Sequence, residues 1–202
     1  MKTPGKAVIL IDDREKYPVL FPENLRYYEA GGRPKLISIA TRRSRMTEGD
    51  YALEADPFGC VIERKGSVRE LAGNFLTADR GRALKAFHRL AAHTRTPILL
   101  LDFSISDFYR EAQGQPPAGH VASEILRLAT SLGLTVISAG PCRGSNIRRN
   151  LGAFLAHYMI EDMIHVDKPH PATQLHPPSD KSASHPTKRS HPATSKGRKP
   201  PK

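Results

Sequence analysis

Cysteine is scarce in this sequence. Two thiols in 202 residues, Cys60 and Cys142, cannot form a disulfide framework. Both sit in or beside apolar segments, as buried thiols of a reducing compartment do. No Cys/His grouping has the spacing of a zinc site. Long apolar runs are missing as well. No stretch approaches the roughly 20 residues that cross a bilayer. The N-terminus has two lysines and then only five apolar residues before Asp12, too few for a signal peptide. The expectation is an intracellular, cytoplasmic or nucleoid protein with no membrane segment. Acid is in short supply: 31 Lys and Arg face 20 Asp and Glu, a net charge of +11. Such a surface attracts polyanions, and nucleic acid is the usual intracellular one, although the same charge also serves plain solubility.

The charge is unevenly spread. Residues 168–202 carry eight prolines, four His-Pro dipeptides and eight Lys/Arg against one Asp, a local charge of +7, which leaves +4 for residues 1–167. Leu175 is the only sizeable apolar side chain there. Such a segment buries too little to offset its ordering entropy and is expected to be disordered and extended. Residues 1–167 form the one expected folded domain. The tail histidines have irregular spacing and proline neighbours, which favours an incidental role over metal binding.

Within the domain, hydrophobic periodicity alternates between two and 3.6 residues. Ala7–Ile11 fits a buried strand ending on Asp12-Asp13-Arg14-Glu15. A short helix is expected over Glu23–Ala30 before Gly31-Gly32, then a strand over Leu36–Ala40 and three arginines in Thr41–Met46 as a loop or strand extension. Tyr51–Leu53 and Phe58–Arg64 read as hairpin partners around a turn at Asp56-Pro57. Val68, Leu71, Ala72 and Phe75 mark a helix, and Ala83, Phe87, Leu90 and Ala91 another. Pro97–Leu101 is the strongest strand pattern and ends on Asp102. A helix on Val121–Leu132 stops at Gly133, and Leu134–Ser138 is a strand. The last helix, with Ser145 as N-cap, carries Ile147, Leu151, Phe154, Leu155 and Tyr158 as its apolar stripe. The alternation is that of an α/β fold.

Charge collects where strands end, the edge at which open α/β sheets place their ligands. Glu63-Arg64-Lys65 closes one strand, so Glu63 and Lys65 share a face and Arg64 takes the other. A bare E-x-K is more often a solvated strand end. The convergence of Asp12 with Arg14 and Glu15, then Asp50, then Glu63 with Lys65, and Glu70 one turn into the next helix, is harder to explain without a cation. Carboxylates hold a hard divalent ion, and a lysine faces a phosphate or a water on it.

Ile11-Asp12-Asp13-Arg14-Glu15, Gly49-Asp50-Tyr51 and Ile62-Glu63-Arg64-Lys65 resemble the ERCC4-type nuclease domain of the XPF/Mus81 structure-specific endonucleases. Gly81-Arg82 at a helix start and Pro97–Phe103 extend the resemblance, which covers roughly residues 7–160. It implies a restriction-endonuclease-like PD-(D/E)xK core, a central mixed β-sheet flanked by helices. It implies Asp50, Glu63, Lys65 and Arg64 as catalytic residues and Asp12, Asp50 and Glu63 as ligands of Mg²⁺, with Mn²⁺ as a substitute. It implies Arg14, Arg64 and Arg82 as DNA contacts, with Glu15 and Glu70 as further acids. The alternative for Arg64 is an ion pair within the fold, to Glu15 or Glu70. The chain departs from the family in carrying Arg69 where an Asp is expected, with Glu70 next to it. It also lacks the tandem helix-hairpin-helix module and the helicase region of relatives.

The function so implied is cleavage of branched, flap or fork DNA in repair, recombination or phage and mobile-element processing. One alternative is a non-catalytic DNA-binding or scaffold subunit; another is a different restriction-like nuclease such as a junction resolvase. Association as a homodimer or heterodimer through the last two helices is also expected. Deleting residues 168–202 should leave the thermal midpoint nearly unchanged. It should weaken DNA binding alike for all sequences, with the log–log salt slope shallower by about 0.9 for each phosphate that the tail neutralises. Melting and salt titration of the truncated protein check both.

Overall fold

The computed structural model describes residues 3–29, 32–110, 117, 119–142 and 144–165. The expected tail, 168–202, lies outside these described residues, as do Ala30 and Gly31 at the end of the expected first helix.

Among the described residues seven strands form one mixed sheet: β1 (Lys6–Asp12), β2 (Asn24–Tyr27), β3 (Lys35–Ser44), β4 (Tyr51–Leu53), β5 (Cys60–Lys65), β6 (Thr96–Leu101) and β7 (Thr135–Ser138). Their spatial order is β2-β3-β1-β4-β5-β6-β7. β1 runs parallel to β3, and β5, β6 and β7 run parallel to one another; β4 is antiparallel to both β1 and β5, and β2 to β3. The carboxyl ends of β1, β3, β5, β6 and β7 therefore meet the start of β4 at one edge.

Helices cover both faces. α1 (Val68–Phe75), α2 (Arg80–His93) and α3 (His120–Leu132) lie on one side, where Leu71, Phe75, Phe87 and Ile125 pack on Ala52, Val61, Leu99 and Leu101. α4 (Ser145–Ile164) covers the other, with Leu155, Ala156, Met159 and Ile160 on Ile9, Ile37, Tyr51, Ile62 and Leu100. A strand roofed on both faces reads as a continuous apolar run, and β6 is buried throughout. This is a three-layer α/β fold with a mixed sheet at its centre, as the sequence implies.

Some local expectations are corrected. Asn24–Tyr27 is a strand, not part of a helix. Leu25 and Tyr27 alternate inward, and pairing with β3 outweighs local helix propensity. β3 runs on through Arg42 and Arg43 because β1 pairs with it as far as Asp12 opposite Ser44. A 3₁₀ turn at Ile105–Tyr109, closed by a reciprocal Ser104–Asp107 cap, carries no periodic signal. Gly144, not Ser145, is the N-cap residue of α4.

The stripe of α4 is also rotated from the expected one. Leu151 and Leu155 are buried with Gly152, Ala156, Met159, Ile160 and Met163, while Ile147 and Phe154 stay half exposed. Gly152 explains the rotation. A Cβ there would collide with the Leu20 carbonyl and stand 3.0 Å from the Phe21 Cα, so α4 lies directly on the segment after β1. Arg148 adds a hydrogen bond to the Pro18 carbonyl. Gly152→Val is expected to lower unfolding free energy by about 1–3 kcal/mol through overpacking, read from the urea midpoint. An unchanged midpoint would show that the packing there is loose.

Candidate active site

At the shared strand edge the chain turns tightly after β1. The Asp12 amide donates to the Asp50 carbonyl at 2.9 Å and the Asp13 amide to the Ser44 carbonyl at 3.2 Å, which ties the ends of β1, β3 and β4 together. The Gly49-Asp50 pair has a steric reason. Gly49 has φ +67°, and a Cβ on it would stand 2.5 Å from Val61 Cγ1 and 3.0 Å from the Ile62 carbonyl oxygen. Glycine lets the chain lie against β5 in the left-handed region. The Asp50 amide then donates to the Ile62 carbonyl at 2.7 Å, and Asp50 Oδ2 accepts the Arg64 amide at 2.7 Å.

The end of β5 splits its charges by face. Glu63 and Lys65 point to the side of α1 and α2. Lys65 is nearly buried, with Nζ 2.8 Å from Glu63 Oε1 and 3.3 Å from Glu70 Oε1. Burial works against its charge, but the Glu63 carboxylate outweighs that and raises its pKa to about 12. Asp50 goes the other way from the carboxylate norm. Burial, reinforced by the Glu63 charge, pushes it up to about 7 although the Arg64 amide favours the ionised form. Asp50, Glu63 and Lys65 line one cavity of about 350 Å³ with Arg14, Lys16 and Tyr17. Asp50, Glu63 and Arg14 also line a neighbouring one of about 240 Å³, walled by α2.

Two of the expected roles meet a different arrangement. Asp12 is wholly buried and its carboxylate is taken: Arg14 Nε and Nη2 donate at 2.7 Å each, the Arg14 amide at 2.8 Å and the Met46 amide at 3.1 Å. Burial raises its pKa, but the Arg14 bonds prevail and hold it at about 2. It therefore organises the turn instead of standing open as a ligand. Arg64 lies on the α4 side of the sheet, pairing with Glu15 at 3.3 Å and with Asp102. This is the ion pair that strand alternation left open, with Asp102 as the second partner in place of Glu70. Glu15 and Arg64 line the 350 Å³ cavity while engaged with each other, and Glu70, on the same cavity, accepts from the Gly66 amide at 2.9 Å and meets Lys65. Arg82, on the first turn of α2, is 82% exposed beside Asp79 and lines neither cavity.

Sequence reasoning missed Glu48. Its carboxylate is buried and faces Arg89 Nε at 3.4 Å and His93 Nδ1 at 3.3 Å, so it fastens the loop carrying Asp50 to α2. The available signal was its place just before Gly49-Asp50 and the i,i+4 spacing of Arg89 and His93. Among the described residues no three His, Cys, Asp or Glu side chains form a ready-made metal site. The donor set that fits a hard divalent cation is the pair Asp50 and Glu63. They are two carboxylates on one cavity, one of them buried against the other's charge.

The fold and site thus define a three-layer α/β protein with a carboxylate–lysine cluster at the carboxyl edge of a mixed sheet. No family model matches the chain, and no curated protein matches it. Among solved structures it is similar to XPF from Aeropyrum pernix, with a TM-score of 0.46 and 17% identity over 78% of this chain and 68% of that one. It is similar also to the same protein in complex with DNA, with a TM-score of 0.48 and 17% identity over 75% and 66%. The likeness is one of fold, and this chain spans about two thirds of each neighbour.

The Asp50 shift has a thermodynamic sign. In the unfolded chain the group titrates at 3.8 and in the folded one at about 7, so the folded state keeps the proton longer. Its contribution to stability is full below the lower value and is lost as pH rises through the higher one. Asp50→Asn is therefore expected to show a flatter decline in unfolding free energy across that window, and greater stability than wild type at pH about 8. Urea unfolding at stepped pH tests this, and equal slopes for both proteins would refute it.

Proposed function

We propose that this chain is a metal-dependent DNA endonuclease, a phosphodiester hydrolase acting on branched, flap or fork DNA. The observation that carries the reading is the grouping of Asp50, Glu63 and a charged, nearly buried Lys65 on one cavity at the sheet edge. Mg²⁺ or Mn²⁺ held by Asp50 and Glu63 would supply Lewis-acid stabilisation of charge on a phosphate. Lys65 directs a fixed positive charge into the same space, where negative charge develops on phosphoryl oxygens. Glu63 and Glu70 hold the Lys65 ammonium in place until a phosphate competes for it. Arg14, with its outer side free of Asp12, offers a contact to an adjacent phosphate. Arg82 offers a peripheral one. Pairing of two chains through the half-exposed Phe154 side of α4 is part of this reading, and it is independent of the chemistry.

A second reading, a non-catalytic DNA-binding subunit, is favoured by one observation: Asp12, one of the three expected metal ligands, is committed to Arg14 and lines neither cavity. Nicking of supercoiled plasmid and of fork and flap oligonucleotides, with Mg²⁺ or with EDTA, separates the two. Wild type is expected to cleave only with the metal. Glu63→Ala and Lys65→Ala are expected to slow cleavage by about 100- to 1,000-fold while DNA binding persists. Binding without any cleavage by wild type would select the second reading. Full activity of Glu63→Ala would remove Glu63 from the site.

A further inference from the structure

One side chain on the wall of the 350 Å³ cavity has no role in the chemistry above. Tyr17 is 74% exposed, the most exposed large hydrophobic side chain among the described residues. A lone exposed tyrosine is ordinary on a protein surface. This one differs in how firmly its backbone is held. Its amide donates to Glu15 Oε1 at 2.9 Å, and Glu15 is itself held by Arg64. On its other side the Pro18 carbonyl accepts from Arg148, and the Val19 amide donates to the Tyr51 hydroxyl at 3.1 Å. Tyr51 is fully buried in the sheet. Pro18 adds a fixed φ directly after the tyrosine. The segment is thus anchored on both flanks, and the ring is presented at the cavity instead of being folded away.

The surroundings specify what the ring would meet. Arg14 and Lys16 stand on the same wall, and Lys65 with Asp50 and Glu63 forms the reactive end. An aromatic face flanked by cations, next to a phosphate-handling cluster, matches one nucleotide unit: a base on the ring and its phosphates on the charges. A base inside a continuous duplex has both faces covered by its neighbours. Only an unpaired base can offer its face to a side chain.

We infer that Tyr17 is a stacking platform for an unpaired base beside the scissile phosphate, so that the cleft selects DNA that is single-stranded at that position. The inference rests on the nuclease reading for its substrate, but its test needs no cleavage. Full-length protein in EDTA is titrated with a forked DNA that carries 2-aminopurine at successive positions of the unpaired arm, and with a blunt duplex of equal length. Wild type and Tyr17→Phe are expected to quench the probe at one or two positions near the junction. Tyr17→Ala is expected to lose the quench and to bind the fork about tenfold more weakly. Its affinity for blunt duplex should stay within about twofold of wild type. Tyr17→Trp, with a larger ring, should bind the fork at least as tightly as wild type, whatever the stability of the alanine variant.

Retention of the quench and of fork affinity by Tyr17→Ala would overturn the inference, as would weaker fork binding by Tyr17→Trp. An equal loss on blunt duplex would also overturn it, by showing that the ring touches paired DNA. Metal-dependent cleavage by a wild type whose quench ignores Tyr17 sinks the stacking alone. A Tyr17-dependent quench without any cleavage sinks the nuclease reading alone. Failure of wild type to bind the fork overturns both.

Discussion

The two-residue period of a strand is the constraint on which the rest of this structure depends. Three consecutive charges close β5, and the pleat sends them to opposite faces. Glu63 and Lys65 go to the helix-lined side and meet Asp50 and Glu70 there. Arg64 goes to the side of α4 and joins Glu15 from the turn after β1 and Asp102 from the end of β6. One tripeptide therefore supplies both the acid–lysine pair of the cavity and the clamp that holds three segments together. A shift of register by one residue would exchange the two sets. The ladder from Asp50 to Ile62 and Arg64, made possible by Gly49, fixes that register at the edge where it matters.

The two aspartates of the edge show how environment divides one residue type into two roles. Asp12 is wrapped by a guanidinium and two amides and is held ionised; it locks the turn. Asp50 has one amide and a second carboxylate nearby, and its charge is disfavoured. A satisfied carboxylate stabilises the fold, whereas an unsatisfied one retains affinity for whatever brings positive charge. Stability is given up locally at Asp50, a pattern common where a site must bind a cation or reactant.

Much of this was legible from the sequence because it followed from periodicity. The alternation of strands and helices, the hairpin of β4 and β5, the apolar run Pro97–Leu101 of β6 and the opposite facing of Arg64 all express local pattern. What could not be read came from partners distant in the chain. Asn24–Tyr27 became a strand because β3 was there to pair with it. Arg42 and Arg43 joined β3 because β1 was long enough to hold them. The stripe of α4 turned toward Gly152 because the Leu20–Phe21 segment lies against it. At the site, the grouping of Asp50, Glu63 and Lys65 followed from the motif, but the saturation of Asp12 by Arg14 did not. Spacing alone cannot show whether two neighbouring opposite charges face each other or a ligand. Glu48 was missed for a related reason, since its partners lie on α2, more than forty positions away.

The position of Glu70 on α1 has a consequence in angle rather than in distance. Successive residues on a helix are turned by about 100° around its axis. An acid at position 69 and one at position 70 therefore look in quite different directions, even though they begin on adjacent Cα atoms. At the third helical position Glu70 points back over the helix start, where it receives the Gly66 amide while its own amide is received by Ser67. Arg69 faces away from the cleft, on the wall of a separate cavity of about 450 Å³ beside Asp102 and Phe103. Glu70 thus stays on the cleft as a brace between the Lys65 ammonium and the first turn of α1, while position 69 presents a positive charge toward the neighbouring groove.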